Sequence, residues 1–375
     1  MKDRLDKKSG LIYPVATLAG TIIGVGIFSL PYIAHQVGFL FMTAYLAVMA
    51  VFMILIHIFF GEVALSTPDF LRLPSYARIH LGKWGERAAF FSQIVGSIAA
   101  LLAYIVVGGK FLAGLLIPFF GGSELLYNMV YFLLGAAFIF FGIKIISKIE
   151  FWGIVLFLFS LILIFGRGLA VFKWANIFLE PASGWNFLLP YGPLLFALSG
   201  LSLVPEIEEM LGRRKRAIKK VISASILIPA AVYALFIILI MGISGSFVSK
   251  DAISGLSGVL GGNVAAVLFF VGVITTFTSF IAIGLTLKKI FWYDLKISRL
   301  GAWAAACFIP LFLFLIGIQD FLKIISFAGG ALMAIDGILI LLMYRKIKKG
   351  RMNLLAYPLF LILIIGIIYE VAYLF

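Results

Sequence analysis

Gly20-Thr21-Ile22-Ile23-Gly24-Val25-Gly26-Ile27-Phe28-Ser29-Leu30-Pro31-Tyr32 decides the reading of this chain, with Phe196-Ala197-Leu198-Ser199-Gly200-Leu201-Ser202-Leu203-Val204-Pro205-Glu206 as its counterpart. Both stretches lie in apolar runs, and in both a proline follows a glycine by five positions: Gly26 to Pro31, and Gly200 to Pro205. A helix broken there frees backbone N–H and C=O groups. In hydrocarbon those groups are costly unless a substrate, an ion or buried protein satisfies them. One such glycine pair is usually a packing feature, because small residues let helices approach closely. Two breaks at matching places in two halves of a chain predict a transport site near the bilayer midplane.

Working outward, the rest of the chain reads as membrane. Of 375 residues, 63% are hydrophobic and 12% charged, and the mean hydropathy is +1.17. Soluble domains run at about 45–50% apolar and about 25% charged. Apolar runs near 20 residues recur along the whole length, so the fold class is all-α and polytopic. The alternating pattern of a β-barrel is absent. Eleven spans are expected, at about 11–34, 37–61, 88–118, 124–143, 150–170, 187–210, 218–243, 263–287, 300–318, 322–344 and 352–373. The basic N-terminal tail before the first run looks like a signal peptide. Its apolar run is too long and leads into further spans, so it reads as an uncleaved first span.

The formal charge of +14 is a matter of topology. With the N-terminus in the cytoplasm, 25 of the 30 Lys and Arg residues fall on cytoplasmic segments, including Arg213–Lys220 and Arg345–Arg351. Excess Lys and Arg in short loops sets orientation, giving N-in and C-out. No basic element lies outside a juxtamembrane loop, which argues against nucleic-acid binding. The single cysteine, Cys307, allows no intramolecular disulfide, and the three histidines, His35, His57 and His80, are scattered.

Under that topology spans one and six run in opposite directions with five helices per repeat. The breaks then occupy equivalent places in an inverted 5+5 repeat. Repeat one covers about 11–170 and repeat two about 187–344, with an extra helix at about 352–373, all in a single transmembrane domain.

Gly24-Val25-Gly26 through Leu30-Pro31-Tyr32 resembles the first-helix signature of the amino acid/auxin permease group, in the amino acid–polyamine–organocation superfamily. Phe196-Ala197-Leu198-Ser199-Gly200 through Val204-Pro205-Glu206 resembles that group's sixth helix. The group includes prokaryotic aromatic and hydroxy amino acid permeases. The resemblance implies the LeuT-type fold and amino acid transport by alternating access; the short loops suggest a prokaryotic cell membrane, though eukaryotic relatives also inhabit internal membranes.

For an amino acid substrate, the N–H groups of Gly24, Val25 and Gly26 at a half-helix N-terminus suit the carboxylate. Carbonyls around Thr21 and Ile22, and at Phe196, Ala197 and Ser199 beside Gly200, suit the ammonium. Phe196 is a candidate wall for the side-chain pocket. Tyr104, near the middle of span three, is a candidate hydrogen-bond donor to the carboxylate, against a plain packing role. In sodium-coupled relatives a cation sits between the first and eighth helices. By that resemblance its ligands are the carbonyls of Gly20, Ile23 and Thr275 and the hydroxyls of Thr278 and Ser279. The alternative for these hydroxyls is back-bonding to their own helix. Some superfamily members place a fifth-helix lysine where the sodium would lie, and Phe151 to Phe165 contains none.

Glu206, Asp336 and Lys110 are candidates for proton relay or gating, since an ionisable group inside the membrane is costly and usually functional. Glu208 and Glu209 are expected to pair with the Arg213–Arg216 cluster, Glu62 to touch the basic loop, and Glu370 to reach water at the boundary.

The expected function is secondary active amino acid symport, with sodium slightly favoured over protons, and with proton-coupled symport or exchange as alternatives. No phosphate-binding loop is present, so ATP is not consumed by this chain. No cofactor beyond the coupling ion and no obligate protein partner is expected; the partners are an amino acid and the bilayer. An ion channel is the rival of a different class, and it lacks a filter-like repeat or a charge ring. An enzyme is not expected, because the embedded ionisable groups are isolated in sequence.

Overall fold

The computed structural model describes residues 11–67, 71–142, 159, 161–162, 164–182, 186–347 and 352–374. Lys144, Lys148 and about half of the expected fifth span, including residues 151–158 of the lysine-free stretch, lie outside the described residues.

The first expected span is split. Helix α1 (Ile12–Ile22) ends at Ile23, a 3-10 turn covers Val25–Ser29, and α2 (Leu30–Val37) completes the crossing. The two arms are bent by 48°. Then follow α3 (Phe39–Leu65), the short α4 (Leu73–Leu81), α5 (Lys83–Phe120), α6 (Glu124–Phe141) and the four-residue α7 (Trp174–Ile177). The second broken span comes as α8 (Tyr191–Ala197) and α9 (Val204–Leu211), separated by a 3-10 turn at Leu201–Leu203. Beyond it lie α10 (Ile218–Ser244), α11 (Ile253–Leu260), α12 (Gly262–Lys289) and α13 (Arg299–Leu315). Last come α14 (Phe321–Phe327), a π-helical stretch (Ala328–Met333), α15 (Ala334–Ile347) and α16 (Met352–Leu374). The end of the bundle from which α1 starts is termed proximal, the opposite end distal.

Among the described residues seven helices are long and apolar enough to cross a membrane, or eight with the bent α1–α2 pair. The expected count of eleven is therefore met only in part. The second broken span is divided into helices of seven and eight residues, and α13 has 17. The loops also carry α4 and α11, which the apolar runs did not reveal.

Hydropathy along the long helices has little amphipathic stripe, because they face lipid on one side and protein on the other. On α3, Leu40, Val48 and Val51 are exposed, while Met49, Phe52, Met53 and Ile56 are buried. Between helices the packing depends on small residues. A Cβ at Gly108 of α5 would lie 2.3 Å from Tyr131 Cζ of α6, and one at Gly135 of α6 would lie 2.4 Å from Phe280 of α12. Gly38, with φ of +89°, makes the one-residue turn between α2 and α3. Phe59 of α3 stacks on Tyr344 of α15 with ring centroids 4.2 Å apart. These contacts hold a rigid frame around the two broken helices.

Candidate substrate-binding site

The two breaks meet inside the bundle, and their prolines explain their shared spacing. Pro31 and Pro205 each occupy one of the first two positions of a restarted helix, α2 and α9. A proline there sacrifices no hydrogen bond and pre-sets the backbone angle. The glycines serve close approach. A Cβ at Gly26 would fall 2.8 Å from Ala197 Cα, and one at Gly200 would fall 2.7 Å from Leu18 Cδ1 and 2.9 Å from Ile22 Cγ1. Each break thus packs against the other broken helix.

Two side chains that the sequence reading did not single out complete this junction. Tyr233 of α10 places its hydroxyl 2.7 Å from the Ile22 carbonyl and 2.8 Å from the Ala197 carbonyl, one freed by each break. His57 of α3 has Nε2 3.0 Å from the Gly200 N–H and Nδ1 2.8 Å from the Met53 carbonyl. A carbonyl only accepts and an N–H only donates, so Nδ1 carries the proton and Nε2 accepts. The ring is a neutral wedge that satisfies the second break. The usable signal for both was a lone polar ring in an otherwise apolar span; the partner across the bundle could not be read from it.

Some expected ligands are already engaged. The Gly24 N–H donates to the Ile22 carbonyl at 2.8 Å, and that carbonyl also receives Tyr233. The Gly24 N–H and the Ile22 carbonyl are thus bonded within the turn. Val25 and Gly26 lie buried in the 3-10 turn, and the Thr21 hydroxyl bonds back to the Thr17 carbonyl at 3.1 Å. Ala197 is buried and shares Tyr233, and Phe196 stands 3.2 Å from where a Gly26 Cβ would lie. Tyr104 is buried, with its hydroxyl 3.4 Å from the place of a Gly24 Cβ. The structure thus brings Gly24 to Tyr104, Gly26 to Phe196 and Ala197, and Gly200 to the end of α1.

On α12 the Thr275 hydroxyl stands 3.0 and 3.1 Å from the carbonyls of Val271 and Gly272 and donates back to one of them at a time. Thr278 donates to the Thr275 carbonyl at 3.1 Å, so two expected sodium ligands are bonded to each other. That bond uses the hydroxyl hydrogen of Thr278 and leaves oxygen lone pairs. Gly20, Ile23 and Ser279 are half-buried.

The ionisable candidates are dispersed. Lys110 pairs with the buried Asp251, which Ser249 and Ser254 also hold, and this ties α5 to the distal loop before α11. Asp336 of α15 bonds Ser92 of α5. Glu206 is exposed at the start of α9. Glu208 pairs with Lys215 at 2.9 Å, within the cluster next to it in sequence, and Glu62 pairs with Lys219 at 2.6 Å, a partner distant in sequence. Glu370 overturns its expectation: it is 1% exposed, not water-facing.

At the distal end a cavity of about 190 Å³ lies above the breaks, lined in part by Tyr32, Asn186, Lys250, Asp320 and Ser326. Lys250 and Asp320 bridge it at 2.9 Å. Burial alone would raise the Asp320 carboxyl. The Lys250 hydrogen bond and the Lys323 and Leu322 N–H groups outweigh it and hold the group below the usual carboxylate range. The same bond to Asp320 raises Lys250.

Solved structures with this arrangement are membrane transporters. A nucleobase-cation-symport-1 family transporter, MHP1, closed with bromovinylhydantoin bound, superposes with a TM-score of 0.66 at 12% identity, covering 97% of this chain and 91% of that one. A mutant manganese transporter of Eremococcus coleocola gives 0.67 at 14% identity, covering 95% and 85%. MhsT in complex with L-phenylalanine gives 0.61 at 14% identity, covering 96% and 98%. The fold is that of the LeuT-type transporters. The family model of the tryptophan/tyrosine permeases matches residues 7–371, and the chain belongs to that family. No curated protein sequence matches it.

Proposed function

We propose that this chain is a secondary active symporter that imports an aromatic amino acid by alternating access. It has eleven spans, with the proximal face cytoplasmic and the distal face outside. The observation that carries this reading is the junction of two broken helices held by Tyr233 across Ile22 and Ala197. Membership of the tryptophan/tyrosine permease family and the L-phenylalanine held by one fold neighbour support an aromatic substrate.

In this reading the substrate carboxylate takes the N–H groups of Val25 and Gly26, with Tyr104 beside them. The ammonium takes the carbonyls of Thr21 and Ser199, and Phe196 walls the ring. The coupling cation is sodium, held by the Gly20, Ile23 and Thr275 carbonyls with the Thr278 and Ser279 hydroxyls, since hard cations prefer all-oxygen sites. Proton coupling is the second reading, favoured by Asp336, a carboxyl inside the bundle that accepts from the Ser92 hydroxyl.

Uptake of a labelled amino acid panel into proteoliposomes tests both, under a sodium gradient and separately a proton gradient. Accumulation of tryptophan, tyrosine or phenylalanine under sodium alone is expected, and is expected to vanish in the double variant Thr278→Ala, Ser279→Ala. Accumulation under protons alone rejects the sodium site, and no accumulation of any aromatic amino acid rejects the substrate class.

A further inference from the structure

Glu370 lies in the distal half of α16, buried, and no Lys or Arg side chain pairs with it among the described residues. Its niche is shaped for a carboxyl. A Cβ at Gly192 of α8 would come 2.3 Å from Glu370 Oε1, and one at Gly330 of the π-helical stretch 2.3 Å from Glu370 Cγ. Any side chain at either position would take the carboxyl's place. The Gly192 N–H donates to the carboxyl.

Ser326 of α14 stands with Oγ 2.9 Å from Oε1 and 2.8 Å from Oε2. One hydroxyl hydrogen cannot serve two oxygens. With a proton on the carboxyl, Glu370 donates back to Ser326 Oγ and both contacts are hydrogen bonds. With the carboxyl ionised, one contact sets two oxygen lone pairs against each other in a buried place, where an unpaired charge is costly.

Ser326 also lines the distal cavity, which has room for several waters. Water in the cavity is therefore one residue away from the buried carboxyl.

We propose that Glu370 is a proton-binding site loaded from the distal cavity through Ser326. Its neutral form locks α8, the distal half of the second broken helix, against α14 and α16, and its ionised form releases α8. The Ser326 hydroxyl passes its proton to the carboxylate and takes one from a hydronium ion in the cavity, which gives up one O–H bond and leaves as water. Ionisation pulls the carboxyl toward water, which means opening the cavity; protonation allows closure.

Other groups that face this one are accounted for. The phenols of Tyr45 (α3), Tyr191 (α8), and Tyr369 and Tyr373 (α16) feel its charge. Lys323 of α14 lies over the Tyr373 ring at 5.8 Å. Lys250 and Asp320 are paired to each other, and Asp336 of α15 is bonded to Ser92. His35 at the end of α2 is the other group nearby that ordinarily titrates between about pH 5 and about pH 8.

The test places one accessible thiol in the cavity, Leu322→Cys, in the full chain in nanodiscs; the native Cys307 is buried. Labelling by a bulky maleimide is measured from about pH 5 to about pH 8, each value normalised to the denatured protein at the same pH. Labelling is expected to rise several-fold with pH. The rise is expected to be lost in Glu370→Gln, with labelling low throughout, and kept in a His35→Gln control. Ser326→Ala is expected to displace the midpoint. A flat profile in the parent protein overturns the proposal, as does an unchanged rise in Glu370→Gln. Should Glu370→Gln fail to fold, an undisplaced midpoint in Ser326→Ala overturns it. The proposal rests on the transport reading only for the meaning of the cavity. Labelling is read without substrate, so its outcome is independent of the uptake panel.

Discussion

Tyr233 has one hydroxyl hydrogen and two carbonyl neighbours; the Ile22 carbonyl also accepts from the Gly24 N–H, so Ala197 is the one that depends on the hydroxyl. A single side chain on a frame helix thereby senses the position of both broken helices. Removing the hydroxyl leaves a buried carbonyl without a donor, which costs about 1–3 kcal/mol. Tyr233→Phe is expected to lower thermal stability in detergent by that order and to weaken amino acid binding, measured by scintillation proximity. Wild-type melting and affinity together would show that the hydroxyl is dispensable to the junction. His57 acts by the same logic at Gly200. Its neutral tautomer is fixed by a carbonyl on one side and an N–H on the other, so it plugs the second break without adding charge.

Element by element, the broken helices are short and the frame helices long, and the division has a physical cause. A helix of seven or eight residues cannot bury enough surface to hold its own place; α8 and α9 depend on their neighbours. Frame helices such as α5 and α6 meet through glycines, and close backbone approach replaces the hydrophobic drive that lipid does not supply. Gly108→Ala puts a methyl 2.3 Å from Tyr131 Cζ, an overpacking cost of about 1–3 kcal/mol. Differential scanning fluorimetry is expected to show a lower melting temperature for it, and none for Gly166→Ala, which has nothing within 4 Å. Equal melting temperatures would mean that α5 and α6 separate at no cost. Both breaks were legible because glycine and proline act locally on the backbone.

For the whole molecule, the Lys250–Asp320 bridge spans the distal cavity between the loop before α11 and the start of α14. The folded Asp320 carboxyl is held below its ordinary value, so the pair contributes above the unfolded value of about 3.9. That contribution is lost only as pH falls through the lower folded value. Lys250, raised by its partner, stays charged through neutrality. The bridge is therefore constant across the physiological range. Lys250→Ala is expected to raise cavity labelling at every pH while leaving the shape of the pH profile between about pH 5 and about pH 8 unchanged. A profile that flattens in Lys250→Ala would assign the pH response to the bridge. Both side chains are partly exposed, 51% and 37%, so solvent screens the pair and keeps its effect modest.

By itself the sequence determined what acts along the chain: apolar length marked the membrane class, and glycine and proline marked the two breaks, whose matching places lead to the expectation of an inverted repeat. It also placed Glu208 beside the Arg213–Arg216 cluster that holds Lys215, because opposite charges close together in sequence were enough. Only the tertiary structure decided what acts across the bundle. Tyr233 and His57 lie far along the chain from the groups they satisfy, Glu370 is buried in a notch made by glycines of two other elements, and Lys110 is bound into the distal loop. Apolar periodicity carries no record of which polar side chain faces which freed backbone group, since that depends on how helices rotate and approach when they pack.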